Sequence, residues 1–215
     1  MTYDFTTLHP RANSGSSKWA AMQAIRPDLP ADVIPLSVAD MELLNPPEIA
    51  EQLGRYAAGT ILGYTRPGDS YYEAVERWMA RRHGWEIQRD WIVTSPGVVP
   101  ALFHMVLAFT QPGDQVILFP PVYYPFYNAV RESGREIVEC PLLEKDGRYE
   151  IDYDRFSQLA ETGKLLIFSS PHNPVGRVWS REELEKLSAI CLEKEVLVLS
   201  DEIHFDLILG ERPHT

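Results

Sequence analysis

Along the second half of the chain, short uninterrupted apolar runs alternate with longer segments whose apolar residues recur every three or four positions. The runs are Trp91 to Val93, Val116 to Phe119, Glu136 to Cys140, Leu165 to Phe168 and Val196 to Leu199. They lack the apolar-polar alternation of a sheet with one wet face, so they read as strands buried on both sides. Between them lie helical patterns. Ala101 to Phe109 is an apolar helix, and Ser180-Arg-Glu-Glu183 has the spacing of a capping box that opens a helix to about Lys194. In that helix Leu184, Leu187, Ile190 and Cys191 form a core-facing stripe. Strand alternating with helix from residue 91 onward predicts an α/β fold with a mostly parallel sheet.

Further upstream the punctuation is different. Asn45-Pro46-Pro47 predicts a helix to about Ala58, with Asn45 as its cap and Gly59 as its end. Ser70-Tyr-Tyr-Glu73 has capping-box spacing and predicts a second helix, stopped by Gly84. Residues 1–45 contain Ser14-Gly-Ser-Ser17, several prolines and only weak periodicity. They read as an N-terminal arm or part of a small domain, which leaves residues 46–215 as one α/β domain. No internal repeat or low-complexity tract interrupts this organisation.

Composition narrows the partners. At 215 residues, with 45% hydrophobic and 24% charged positions, the chain is of the ordinary globular kind. A formal net charge of -11 speaks against nucleic acid and against anionic membrane, both of which need clustered Lys and Arg. Cys140 and Cys191 are too few for a disulfide framework and lie in apolar-patterned segments, so buried thiols in a reducing, cytoplasmic setting are expected. Met1-Thr-Tyr-Asp-Phe-Thr-Thr has no export-signal pattern, and no window approaches the roughly 20 apolar residues of a membrane span.

Chemistry is expected where the apolar runs stop, because open α/β sheets bind ligands outside the carboxyl ends of their strands. Four such places stand out. Ser95-Pro-Gly97-Val98 leads into a helix, where backbone N–H groups and the helix dipole can meet a phosphate, although an ordinary tight turn reads the same way. Pro120-Pro-Val-Tyr123-Tyr124-Pro-Phe-Tyr127 offers a rigid aromatic face, or merely core filling. Ser170-Pro-His-Asn173-Pro-Val-Gly176 and Ser200-Asp201-Glu-Ile-His204 each present polar groups at a strand end. His172, Asp201, Glu202 and His204 do not have a metal-site spacing, and no metal is expected. Neither Gly-x4-Gly-Lys-[Ser/Thr] nor Gly-x-Gly-x2-Gly occurs, which weakens nucleotide and dinucleotide readings.

In order and spacing these elements resemble a fold-type I pyridoxal phosphate enzyme of the class I/II aminotransferase superfamily. With Val38-Ala-Asp40-Met41 and Gly63-Tyr64-Thr65 they resemble more narrowly its MalY/PatB branch of cystathionine β-lyases and related carbon-sulfur lyases. The resemblance implies a three-layer, aspartate aminotransferase-like large domain that is incomplete at the C-terminus. It implies that Asp201 pairs with the pyridine nitrogen of pyridoxal 5'-phosphate, Asn173 bonds its phenolic oxygen, and Tyr123 stacks on its ring. Gly97 and Val98 would hold the phosphate, and His204 is grouped with these cofactor residues. Tyr64 would reach the site of a neighbouring subunit in a homodimer, and Asp40 would lie near the substrate entrance. Ser37 departs from the branch pattern, which commonly has tryptophan there.

The lysines are Lys18, Lys145, Lys164, Lys186 and Lys194, so none follows Asp201, whereas the resemblance places the Schiff-base lysine well beyond that strand. The chain is therefore expected to be an N-terminal fragment, inactive alone, of an enzyme that converts cystathionine or a cysteine S-conjugate to thiol, pyruvate and ammonia. An aminotransferase on the same scaffold is the alternative enzyme, and a non-catalytic binding or regulatory module is the alternative outside catalysis.

Overall fold

The computed structural model describes residues 3–30, 33–210 and 213–215. They form two compact units, Met1–Arg66 and Pro67–Thr215. Sequence texture changes at residue 45, but the units part at Arg66.

The first unit carries two helices, α1 (Ser17–Ile25) and α2 (Pro47–Gly59). Helix α2 is capped by Pro46 rather than by Asn45. The reason is local: Pro47 has the fixed φ suited to a first helical turn, and a residue before proline is pushed out of the helical region, so Pro46 takes the extended cap position. Asn45 then falls outside the helix. No α2 residue is buried within the unit.

The second unit begins with α3 (Asp69–His83), whose cap is Gly68 and not the expected Ser70. Gly68 adopts the extended cap geometry, and Asp69 in the first turn is held by Arg89 at 2.5 Å. Gly84 ends the helix as expected, with its N–H on the Ala80 carbonyl. The expected strand at Trp91 to Val93 is absent; Arg89–Trp91 is a single 3-10 turn. These residues find their partners locally, Trp91 N–H on the Gln88 carbonyl at 3.0 Å and Ile92 N–H on Arg89 at 3.1 Å. An apolar run becomes a strand only where a neighbouring strand completes its hydrogen bonds.

From there strands alternate with helices as read, with one antiparallel hairpin at 143–150 that the sequence reading did not include. The elements are α4 (Val98–Phe109), β1 (Gln115–Leu118), α5 (Pro125–Glu132), β2 (Glu136–Glu139), the hairpin β3 (Leu143–Lys145) and β4 (Arg148–Glu150), α6 (Tyr153–Leu159), β5 (Gly163–Ser169), α7 (Arg181–Glu193) and β6 (Leu197–Asp201). Helix α7 has the expected capping box, with Ser180 and Glu183 each accepting the other's backbone N–H. The main sheet is parallel throughout, in the order β2-β1-β5-β6. The path from β1 therefore turns first to one side, into β2, and then to the other, into β5.

Alternate residues of the two central strands enter different cores. Ile117, Phe119, Leu166 and Phe168 pack with Phe156, Leu187, Cys191 and Trp179 on one face. Val116, Leu118, Leu165 and Ile167 pack with Leu102, Val106, Phe126 and Val130 on the other. Each such side chain contributes about 1.5–3 kcal/mol through burial, which explains why the strands show no polar alternation. The result is three layers, helix on sheet on helix. Cys140 and Cys191 are buried free thiols in the first core. No helix among the described residues is long and apolar enough to cross a membrane.

One glycine marks where β5 meets its neighbour most closely. A Cβ at Gly163 would lie 2.5 Å from Ile117 Cδ1 and 3.3 Å from the Leu159 carbonyl oxygen. Ile117 is fully buried and cannot swing away. Gly163→Ala is expected to destabilise the fold by about 1–3 kcal/mol through overpacking. Urea unfolding measures it, and an unchanged midpoint would contradict the close packing of β5 on β1.

Candidate functional site at the carboxyl edge of the sheet

The reversal of strand order between β1 and β5 opens a crevice at their carboxyl ends, where the two chains leave the sheet in different directions. The β1–β5 register runs to Ile117 opposite Leu166, while β5 continues alongside β6 to Ser169 opposite Asp201. Three strand-end segments thus border one region: 119–127 after β1, 170–176 after β5, and 201–204 at β6.

The segment after β5 is a closed turn. Ser169 Oγ donates to the Pro171 carbonyl at 3.1 Å and accepts the Asn173 N–H at 3.1 Å. The carbonyl of Ser169 accepts from Trp179 Nε1 at 3.0 Å, and the His172 N–H meets the Arg177 carbonyl at 2.8 Å. Asn173 is held at the mouth of this turn. Together with His172, Arg177 and His204 it lines a groove of about 580 Å³.

Asp201 ends β6 with only 8% of its surface exposed. Its carbonyl accepts the Ser170 N–H at 2.9 Å, tying it to the β5 turn, and its carboxylate accepts the Ile203 N–H at 3.2 Å. Burial raises its pKa above the ordinary carboxylate value, partly offset by that N–H and by His204. A carboxylate with little water and a single backbone donor is stabilised by any cationic or N–H-bearing ligand that reaches it. Tyr123 shares this environment: burial raises its phenol pKa, and the charges of Tyr124 and Asp201 push in the same direction. Its ring meets Phe126 edge-on with centroids 6.0 Å apart.

Helix α4 begins at Val98 after Gly97, which has φ 127° and ψ 166°. That region favours glycine, and a cap residue without a side chain leaves the first amides of the helix without a side-chain acceptor. Pro100 carries no N–H, so the backbone N–H groups at this helix start are those of Gly97, Val98 and Val99. Val98, Tyr123 and Leu199 all pack against the same apolar core, at its edge. The second unit thus places a helix N-terminus, an aromatic face, an amide and a buried carboxylate along the carboxyl edge of one sheet. That donor set fits a flat, phosphate-bearing, basic heterocycle. Among the described residues no group of three His, Cys, Asp or Glu side chains is arranged to hold a metal.

Asp40 and Tyr64 belong to the first unit. Tyr64 is fully exposed there. The Asp40 carboxylate is bound by Arg11 at 2.7 Å and by Lys18 Nζ at 2.9 Å. Lys18, whose side chain is 1% exposed, also contacts the Asp40 carbonyl at 2.7 Å and Glu42 at 2.7 Å. Trp19 Nε1 donates to Glu42 at 3.2 Å. Sequence reasoning picked out Asp40 but missed the lysine that holds it, because a single Ser-Lys-Trp segment carries no periodic or spacing signal. The cluster flanks Val38, a β-branched residue at φ 61°, a conformation that costs about 1–3 kcal/mol.

The sequence profile of the family "Aminotransferase class I and II" matches residues 31–214. The chain belongs to that family. Among its curated members, cystathionine beta-lyase PatB of Bacillus subtilis is 50% identical over 186 residues, which are 86% of this chain and 48% of that relative. The chain thus spans about half the length of the curated relatives it matches. Cystalysin of Treponema denticola, whose crystal structure contains pyridoxal 5'-phosphate, superposes with a TM-score of 0.94 at 52% identity, over 100% of this chain and 55% of that one. The pyridoxal phosphate-bound C-S lyase of Staphylococcus hominis gives 0.90 at 33% identity over the same shares. The family fold is the expected three-layer, aminotransferase-like one.

The ion cluster generates a pH dependence. Asp40 and Glu42 are held below the usual carboxylate range, chiefly by hydrogen bonds from Lys18, so they favour the folded state when ionised. A depressed folded pKa gives stability that is present above the unfolded value of about 4 and lost as pH falls through the folded one. Lys18→Met is expected to lower the melting temperature at pH 7, and the gap from the unmodified protein should close below about pH 4. A gap of constant size from pH 7 to pH 3 would contradict the cluster's role.

Proposed function

We propose that the protein is a pyridoxal phosphate-dependent carbon-sulfur β-lyase acting on a small sulfur-containing amino acid such as cystathionine. The observation that carries this reading is the buried Asp201 carboxylate at the end of β6, whose charge acts on Tyr123 after β1 and whose carbonyl is tied to the β5 turn that carries Asn173. The lyase names of the similar proteins support it.

Each residue has work suited to its chemistry. Asp201 keeps a proton on the pyridine nitrogen, because a buried carboxylate is relieved by an N–H⁺ partner. Asn173 would donate to the phenolic oxygen, Tyr123 would cover one ring face, and the Gly97 and Val98 amides, with that of Val99, would bind the phosphate at the positive end of α4. His204, in the groove with Asn173, adds a polar wall on that side. Bound there, pyridoxal phosphate would supply an electron-poor ring able to stabilise negative charge at the substrate Cα, the charge that loss of a thiolate from Cβ requires.

A homodimer is part of the proposal. Ile49, Leu53 and Tyr56 lie four and three residues apart on one face of α2 and are all exposed, followed by exposed Ile61, Leu62 and Tyr64. A second copy covering this stripe would draw Tyr64 of the partner subunit toward the reaction site, with Asp40 near the substrate entrance. A cytoplasmic setting accords with two buried, unpaired thiols.

Pyruvate release from cystathionine by the full-length protein tests the activity, and amino transfer to a keto acid without pyruvate release would favour an aminotransferase instead. Asp201→Ala is expected to lower turnover by on the order of 100-fold or more while far-ultraviolet circular dichroism is unchanged. Near-normal turnover in that variant would remove Asp201 from its assigned role.

A further inference from the structure

One buried polar side chain at the crevice has no part in the roles above. His172 is 1% exposed, and its Nε2 lies 3.1 Å from the carbonyl oxygen of Pro121. A carbonyl only accepts, so Nε2 carries the proton. Burial holds the imidazole pKa below its ordinary value, against the pull of the Pro121, Phe119 and Ser169 carbonyls. The ring stands edge-on to Trp179, with centroids 5.6 Å apart. Its own backbone is fixed at both groups, the N–H on the Arg177 carbonyl and the carbonyl on the Gly176 N–H, each at 2.8 Å. The imidazole is therefore a rigid arm mounted on the β5 turn.

The arm crosses the opening of the crevice. Beyond Ile117 and Leu166 the β1–β5 register stops, and the chains diverge. The His172–Pro121 bond joins segment 119–124 to segment 169–174, and the Phe119 carbonyl acts on the same imidazole from the β1 side. Pro121 precedes Tyr123 by two residues, and His172 immediately precedes Asn173.

We propose that His172 is a positioning residue: its Nε2–H straps the β1 end to the β5 end and so fixes the Tyr123 ring relative to the Asn173 amide. This rests on the reading of the crevice as a pyridoxal phosphate site. The strap matters because two groups on separate loops must meet one rigid ring at once, and any freedom between them is paid as lost affinity. Prolines at 120 and 121 bring no N–H of their own to fasten their segment, so a donor must come from the other side.

Two variants of the full-length protein test this. His172→Met keeps an apolar filling against Trp179 but removes the donor; His172→Gln restores an amide N–H at a similar reach. The probes are equilibrium binding of pyridoxal phosphate and hydrogen exchange of the peptide 119–127 in protein freed of cofactor. His172→Met is expected to weaken binding by about tenfold and to speed exchange in 119–127, with far-ultraviolet circular dichroism unchanged, and His172→Gln should recover most of both. Unchanged binding and exchange in His172→Met would overturn the proposal, as would a Gln variant no better than Met. If the unmodified protein binds no pyridoxal phosphate, the cofactor reading fails, and the strap then stands or falls on the exchange measurement alone.

Discussion

Strand β1 uses both of its hydrogen-bonding edges on strands that follow it, β2 on one side and β5 on the other, and everything at the site depends on that constraint. The chain leaves the carboxyl end of β1 toward β2 on one side, and that of β5 toward β6 on the other. The gap between them cannot be closed by the sheet itself. Apolar burial on both faces makes the arrangement rigid, with Val116 and Leu118 in one core and Ile117 and Phe119 in the other. A fixed gap between rigid strands is a place where a ligand finds preorganised groups.

The charges of the two units are managed differently. In the first unit Lys18 is buried but saturated by Asp40, Glu42 and the Asp40 carbonyl, so the cluster is a structural tie for the segment around Val38. In the second, Asp201 is buried with one backbone donor, and its pKa rises. A saturated charge holds structure; an under-satisfied one is poised for a partner. That contrast sets a saturated carboxylate cluster apart from one left open to a ligand without reference to any relative.

Much of the fold was legible because several signals were local and strong. Ser180 and Glu183 cap α7 through the reciprocal pair their spacing implied, and the runs of β1 and β5 lie between two cores. Those of the outer strands β2 and β6, expected to be buried on both faces, are partly exposed because each has a sheet neighbour on one side only among the described residues. Trp91 to Val93 misled because an apolar run specifies burial or strand only when a neighbour accepts it, and pairing is not written in the run itself. Asn45 lost the cap to Pro46 through the backbone restriction that Pro47 imposes. The hairpin β3–β4 turns at Asp146-Gly147, a recognisable turn pair between two short strands. At the site, Tyr123, Asn173 and Asp201 were visible as polar or aromatic groups at run ends. His172 was weighed only as a metal ligand, since its hydrogen bond spans 51 residues and nothing local announces it.

The central claim is that the crevice between the ends of β1, β5 and β6 receives pyridoxal phosphate with its ring nitrogen on Asp201. A crystal structure of the full-length protein with pyridoxal phosphate tests it most directly. The account predicts the ring nitrogen within hydrogen-bond distance of the Asp201 carboxylate, the ring face against Tyr123, and the phosphate on the Gly97 and Val98 amides with that of Val99. A cofactor bound elsewhere, or bound with its ring nitrogen turned away from Asp201, would contradict it.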